Sequence, residues 1–199
     1  SKDDLALINI YLDFILSCQQ EDGSFLNYID LDGNFTTNNF DENLEDANGR
    51  AIWALGEFIS YHKIIAKDLI KKAKFAIEKA LIRVHKFDAP RAISFAIKGL
   101  HFYNLQKGSR RINHIINLLA NNLVSKYEIT SDSKWKWFEN YLTYGNSIIP
   151  EALLYASLST GNANYREVAK ITFDFLLSLT FKNSQIKVIS NQGWHQKGK

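Results

Sequence analysis

The stretch DENLEDANGRAIWALGEFISY, residues 41–61, carries four side chains suited to binding or transforming a polar ligand. Asp46, Arg50, Trp53 and Glu57 stand at i, i+4, i+7 and i+11. At about 100° per residue they form one line along a helix, and Tyr61 extends it. Leu44, Ala47, Ala51, Leu55, Phe58 and Ile59 gather on the other side. The tryptophan therefore belongs to the polar face, where an exposed indole is unusual without a task. Two uses fit the line. In one, Asn43 caps the helix, Asp46 favours its positive end, and Asp46–Arg50 is a surface pair stabilising by a few tenths of a kcal/mol. In the other, the face lines a wet cavity and Trp53 is a stacking platform between an acid and a base. Gly49 and Gly56, seven apart, share a flank. Each costs roughly 1 kcal/mol relative to alanine inside a helix, so something comes close to the backbone there, either a neighbouring helix or a ligand.

A second cluster lies in WKWFENYLTYGNSIIPEALLYA, residues 135–156. Trp135, Trp137, Phe138, Tyr141 and Tyr144 fall within ten residues, with Glu139 among them. Phe138 and Tyr141 are expected to fill core; Trp135, Trp137 and Tyr144 are the rings expected to face a ligand. Pro150 suits the first turn of the following helix, which Asn146 or Ser147 can cap. Aromatic rings around one carboxylate suit a neutral polyol, because sugar C–H faces stack on rings while carboxylates and amides take hydroxyls. Near the end, SNQGWHQKGK places Trp194 after a glycine, as a further platform or a packing plug.

Other chemistries lack their residues. Net charge is +3, from 24 basic and 21 acidic side chains, with no basic run, so nucleic acid is not an expected partner. Cys18 is the single cysteine and sits among Phe14, Ile15 and Leu16, which marks a small buried hydrophobe. DLDGN, residues 30–34, hints at a calcium loop but has Phe35 where glycine is needed. The histidines are scattered, and no phosphate loop or GxSxG is present. Neither metal nor cofactor is expected. No stretch approaches the ~18–20 apolar residues of a membrane span, and no signal peptide opens the chain. The expected setting is the cytoplasm, and the Asn- and Ile-rich composition suits an AT-rich bacterium. Methionine is absent even at position 1, which points to a fragment of a longer protein.

The elements that must position these residues are helices. With 199 residues and 46% apolar content, one core suffices and residues 1–199 read as a single domain. Periodicity predicts helices over 3–19, 43–61, 66–85, 90–106, 110–126, 147–160 and 163–181. Leu5, Ile8, Leu12, Ile15 and Leu16 form the stripe of the first. Lys107-Gly108-Ser109 and Thr160-Gly161-Asn162 supply stop-and-start signals. Residues 185–190 alternate like a short strand. A polar loop of about twenty residues follows the first helix, long enough to be functional. The fold class is all-α: antiparallel hairpins stacked side by side, seven helices being an awkward number for a closed ring.

The motifs EDANGRAIWALG, WKWFENYLTYGNSIIPEALLYA and ISNQGW, in this order over roughly residues 40–195, resemble the six-hairpin glycosidase-like superfamily. They are most similar to the (α/α) toroid domain found alone or fused behind bacterial glycosyltransferases. That resemblance implies an incomplete toroid whose inner helices turn Asp46, Arg50, Trp53, Trp137, Glu139, Tyr144, Asn146 and Trp194 into a central funnel. It implies an oligosaccharide ligand and a covalently linked glycosyltransferase domain as a possible partner. Two departures stand out: Gly145 replaces an acid common in the family, and the chain stops after the GW motif.

Three functions follow as expectations. A carbohydrate-active toroid would use Asp46 and Glu139 as the catalytic carboxylates, about 5 Å apart for retention or ~6.5–9.5 Å for inversion. Arg50, Trp53, Glu57, Trp137, Tyr144, Asn146 and Trp194 would bind the sugar. A non-catalytic accessory domain of a glycosyltransferase is the alternative, favoured by Gly145. A terpene-cyclase-like toroid ranks last: QQEDGSF, residues 19–25, is reminiscent of QxxDGxW turns, but the acid-rich motifs of those enzymes are missing.

Overall fold

The computed structural model describes residues 2–106 and 108–198, so Lys107 of the predicted Lys107-Gly108-Ser109 signal lies outside them. The helices are α1 Lys2–Cys18, α2 Asn38–Asp41, α3 Glu45–Ser60, α4 Lys67–Val84, α5 Pro90–Asn104, α6 Arg110–Thr130, α7 Ile148–Thr160 and α8 Ala163–Thr180. Seven are the predicted ones. The extra α2 is a single turn inside the long loop after α1, and α6 runs four residues past its expected end. The fold is all-α. Four two-residue strands decorate it: β1 Tyr141–Leu142, β2 Phe181–Lys182, β3 Gln185–Ile186 and β4 His195–Gln196. The strand predicted over 185–190 shrinks to β3, which pairs antiparallel with β2. β1 pairs with β4 and so ties the aromatic loop to the C-terminal segment.

The helices form two layers. α3, α5 and α7 lie side by side as a front row; α4, α6 and α8 each pack behind their hairpin partner. The back row buries helical stripes, for example Ile70, Ala73, Ile77 and Leu81 on α4. On α1 only Leu12 of the predicted stripe is fully buried, and Leu5 is exposed. Cys18 is buried in the core, and that burial raises its thiol pKa. Among the described residues, no helix is long and apolar enough to cross a membrane.

The buried arc of α3 differs from the predicted one. It runs through Asn48, Gly49, Ile52, Leu55, Gly56 and Ile59, whereas Ala47, Ala51 and Phe58 are only half-buried. The reason is the seam with α5. A Cβ added at Gly49 would stand 2.6 Å from the Ala92 carbonyl oxygen, and one at Gly56 only 2.0 Å from that of Gly99. Gly99 in turn meets the Ile52 backbone. The glycines thus serve a neighbouring helix, whose backbone fills the space beside them. Both contacts join residues with the same sequence offset and ascending numbers, so α3 and α5 run parallel. Their N-terminal ends therefore lie at one end of the front row.

Short polar contacts fix that end. Asn48, buried in α3, accepts the Phe25 N–H at 2.8 Å and donates to the Phe25 carbonyl at 3.0 Å, docking the long loop. Glu45 accepts the N–H groups of Asp88 and Ala89 just ahead of α5. Leu44 holds the N-cap of α3 without a side-chain cap, and Asn43, expected to cap, instead accepts the Glu45 N–H at 2.8 Å from one residue earlier. At the other end of α7, Gly161 takes the left-handed conformation and the Asn162 side chain accepts the Asn164 N–H, as the sequence signal predicts.

Candidate functional site

The site forms where the loop 139–146 folds over the N-terminal ends of α3 and α5. Its hub is Arg91, at the start of α5. The guanidinium is buried and spends three donors on the loop. Nε donates to the Tyr144 carbonyl at 2.6 Å, Nη1 to Glu139 Oε2 at 2.8 Å, and Nη2 to Asn146 Oδ1 at 3.1 Å. Its Cζ also lies 4.9 Å from the Tyr144 ring centroid. Asn146 closes the turn by accepting the Thr143 N–H and donating to the Thr143 carbonyl. Trp135 donates from its indole to the Glu139 carbonyl.

Tyr144, half exposed, reaches from this loop to α3, where its hydroxyl stands 3.4 Å from Asp46 Oδ1. Burial, and then the Asp46 carboxylate, push its phenol pKa above the usual 10. Asp46 also accepts Arg50 Nε at 2.7 Å. Asp46, Arg50, Tyr144, Glu139 and Asn146 are thereby brought into one chain of contacts, with Arg91 as the link the sequence reading missed.

A ladder of cations and rings continues down the front row. Arg50 Cζ lies 4.3 Å over Phe95, Phe95 stacks on Trp53 at 5.5 Å and 11°, and Lys98 Nζ sits 4.1 Å over the Trp53 ring. Lys98, itself buried, donates to Glu151 Oε1 at 2.8 Å and lies 5.8 Å from the Tyr155 ring. Burial, then Glu151 and Glu57, raise the Tyr155 pKa. Below it His101 contacts Ser159 Oγ at 2.8 Å, and burial lowers the imidazole pKa. Trp53 does stand on the polar line, but Phe95 and Lys98 take up the stacking positions on its ring. Its Nε1 is buried without a partner among the described residues.

Three predicted placements need correction. Trp137, expected to face a ligand, is fully buried against Phe138, and its Nε1 has no partner among the described residues. Trp135 is likewise core, packed edge-on to Phe175 and stacked with His195. Tyr141, expected in the core, is exposed on β1. The physical reason is β1 itself: alternate residues of a strand point to opposite faces, so Leu142 goes inward and Tyr141 outward. Trp194 lines a separate cleft of about 320 Å³ with Leu179, Lys187 and His195, beside the end of α8. Glu57 remains on the α3 line, partly exposed.

Arg91 and Lys98 carried a readable signal. Arg91, Phe95, Lys98 and Phe102 repeat on α5 the i, i+4, i+7, i+11 spacing of Asp46, Arg50, Trp53 and Glu57 on α3. No group of three or more His, Cys, Asp or Glu side chains is placed to hold a metal ion among the described residues.

Comparison with known proteins finds no match: no family model, no curated protein and no solved structure matches this chain.

Proposed function

We propose that this chain binds an oligosaccharide on the face shared by α3, α5 and the loop 139–146, and that it binds without hydrolysing. One observation carries the reading: a half-exposed tyrosine ring, braced from behind by Arg91, stands beside an accessible carboxylate, Asp46. A braced ring supplies a stacking surface, and the adjacent acid and phenol supply hydrogen bonds for hydroxyls. The toroid resemblance supports the same ligand class, and a linked glycosyltransferase domain would give such binding a purpose in presenting an acceptor glycan.

Hydrolysis fits less well. Glycoside cleavage needs one carboxyl as proton donor and a second as base or nucleophile. Glu139 is tied to a buried arginine at 2.8 Å and largely covered, while Asp46 is tied to Arg50. Both serve as anchors for cations.

Calorimetric titration with gluco- and manno-oligosaccharides tests the reading, alongside an assay for released reducing ends. Saturable binding is expected, weakened roughly tenfold by Tyr144→Ala, with no sugar release. Absence of binding to every oligosaccharide, or binding indifferent to Tyr144→Ala and Asp46→Asn together, defeats it. Release of reducing ends that Glu139→Gln abolishes would restore the hydrolytic alternative.

A further inference from the structure

Building on the carbohydrate reading, we propose that the sugar taken here is an anionic one, and that Arg50 reads its negative group. The cations of the front row differ in what they have left to give. Arg91 is buried and commits Nε, Nη1 and Nη2 to the loop. Lys98 is buried against Glu151 and two rings. Arg50 commits only Nε, to Asp46. Its two terminal nitrogens carry four N–H donors and have no partner among the described residues, and its side chain is 50% exposed.

Those free donors are also held in place. Asp46 pins one edge of the guanidinium, and the Phe95 ring supports its plane. A guanidinium fixed this way presents a fork matched to two oxygens of a carboxylate or phosphate. Asp46 is shared with Tyr144, whose hydroxyl stands 3.4 Å from it, so the fork lies beside the ring that stacks the sugar and takes the oxyanion of that sugar.

Titration of the whole chain with tetragalacturonate, glucose 6-phosphate and neutral cellotetraose, at low and high salt, tests this. At least one anionic ligand is expected to bind about tenfold or more tighter than cellotetraose at low salt, with the advantage shrinking as salt rises. Preference for the uronate or for the phosphate identifies which oxyanion source fits. Arg50→Gln should bring the anionic-to-neutral ratio close to one, and Arg50→Lys should recover only part of it, because an ammonium lacks the fork. An unfolding temperature within about 4 °C of the parent in both variants shows that folding is intact. Equal affinity for neutral and anionic ligands overturns the inference and leaves the carbohydrate reading standing. A preference that survives Arg50→Gln overturns it equally. Absence of binding to all three, as to the neutral oligosaccharides above, overturns both.

Discussion

Two arginine–carboxylate pairs of nearly equal length stand about the same tyrosine, and their surroundings give them opposite tasks. Arg91–Glu139 spans 2.8 Å with side-chain exposures of 7% and 14%, whereas Arg50–Asp46 spans 2.7 Å with exposures of 50% and 31%. Inside, the guanidinium satisfies three acceptors of one loop, and removing it would leave the largely covered Glu139 carboxylate without its cation. Outside, solvent screens the pair and leaves donors over. Burial rather than pairing distance decides that the first is a fastening and the second is available to a ligand.

The sharpest way to break this contrast is at Arg91. Arg91→Ala should cost about 3–5 kcal/mol of folding stability, read by urea denaturation, because Glu139 is left uncompensated and the loop loses its hub. A loss near that of an exposed pair would erase the distinction. A smaller effect is expected at the seam that sets the spacing of the helices bearing the two pairs. Gly56→Ala should destabilise by about 1–3 kcal/mol through overlap with the Gly99 backbone, although helix propensity alone favours alanine by about 1 kcal/mol. Net stabilisation there would show that the α3–α5 approach is looser than described. The smallest effect belongs to the exposed pair. Arg50→Gln should change stability by at most about 1 kcal/mol, and less at high salt. A cost comparable to Arg91→Ala would make Arg50 structural and remove it as a free donor.

How much of this was legible follows from where each signal resides. Helix identity and most boundaries come from local periodicity and caps, and Gly161 and Asn162 act as their types predict. The line Asp46–Arg50–Trp53–Glu57 was also legible, since one helix fixes which residues share a face. Its neighbours were not. Trp53 reads as a free platform until α5 lays Phe95 and Lys98 against it. Trp137 and Tyr144 look alike in a loop of rings, yet one is sealed in the core and the other half exposed, because Arg91 reaches across from a helix some fifty residues earlier. The repeat of the α3 spacing in Arg91, Phe95, Lys98 and Phe102 was present in the chain and passed unnoticed among apolar residues.

By itself the sequence determined an all-α chain of hairpins, a polar line on the third helix and the need for a close approach at Gly49 and Gly56. Only the tertiary structure decided that the approach is made by α5, which aromatic rings stay open, and which of two ion pairs keeps donors to spare. Backbone preference acts over a few residues and can be read along the chain. Exposure and partnership depend on what distant segments bring alongside, and no local pattern encodes that.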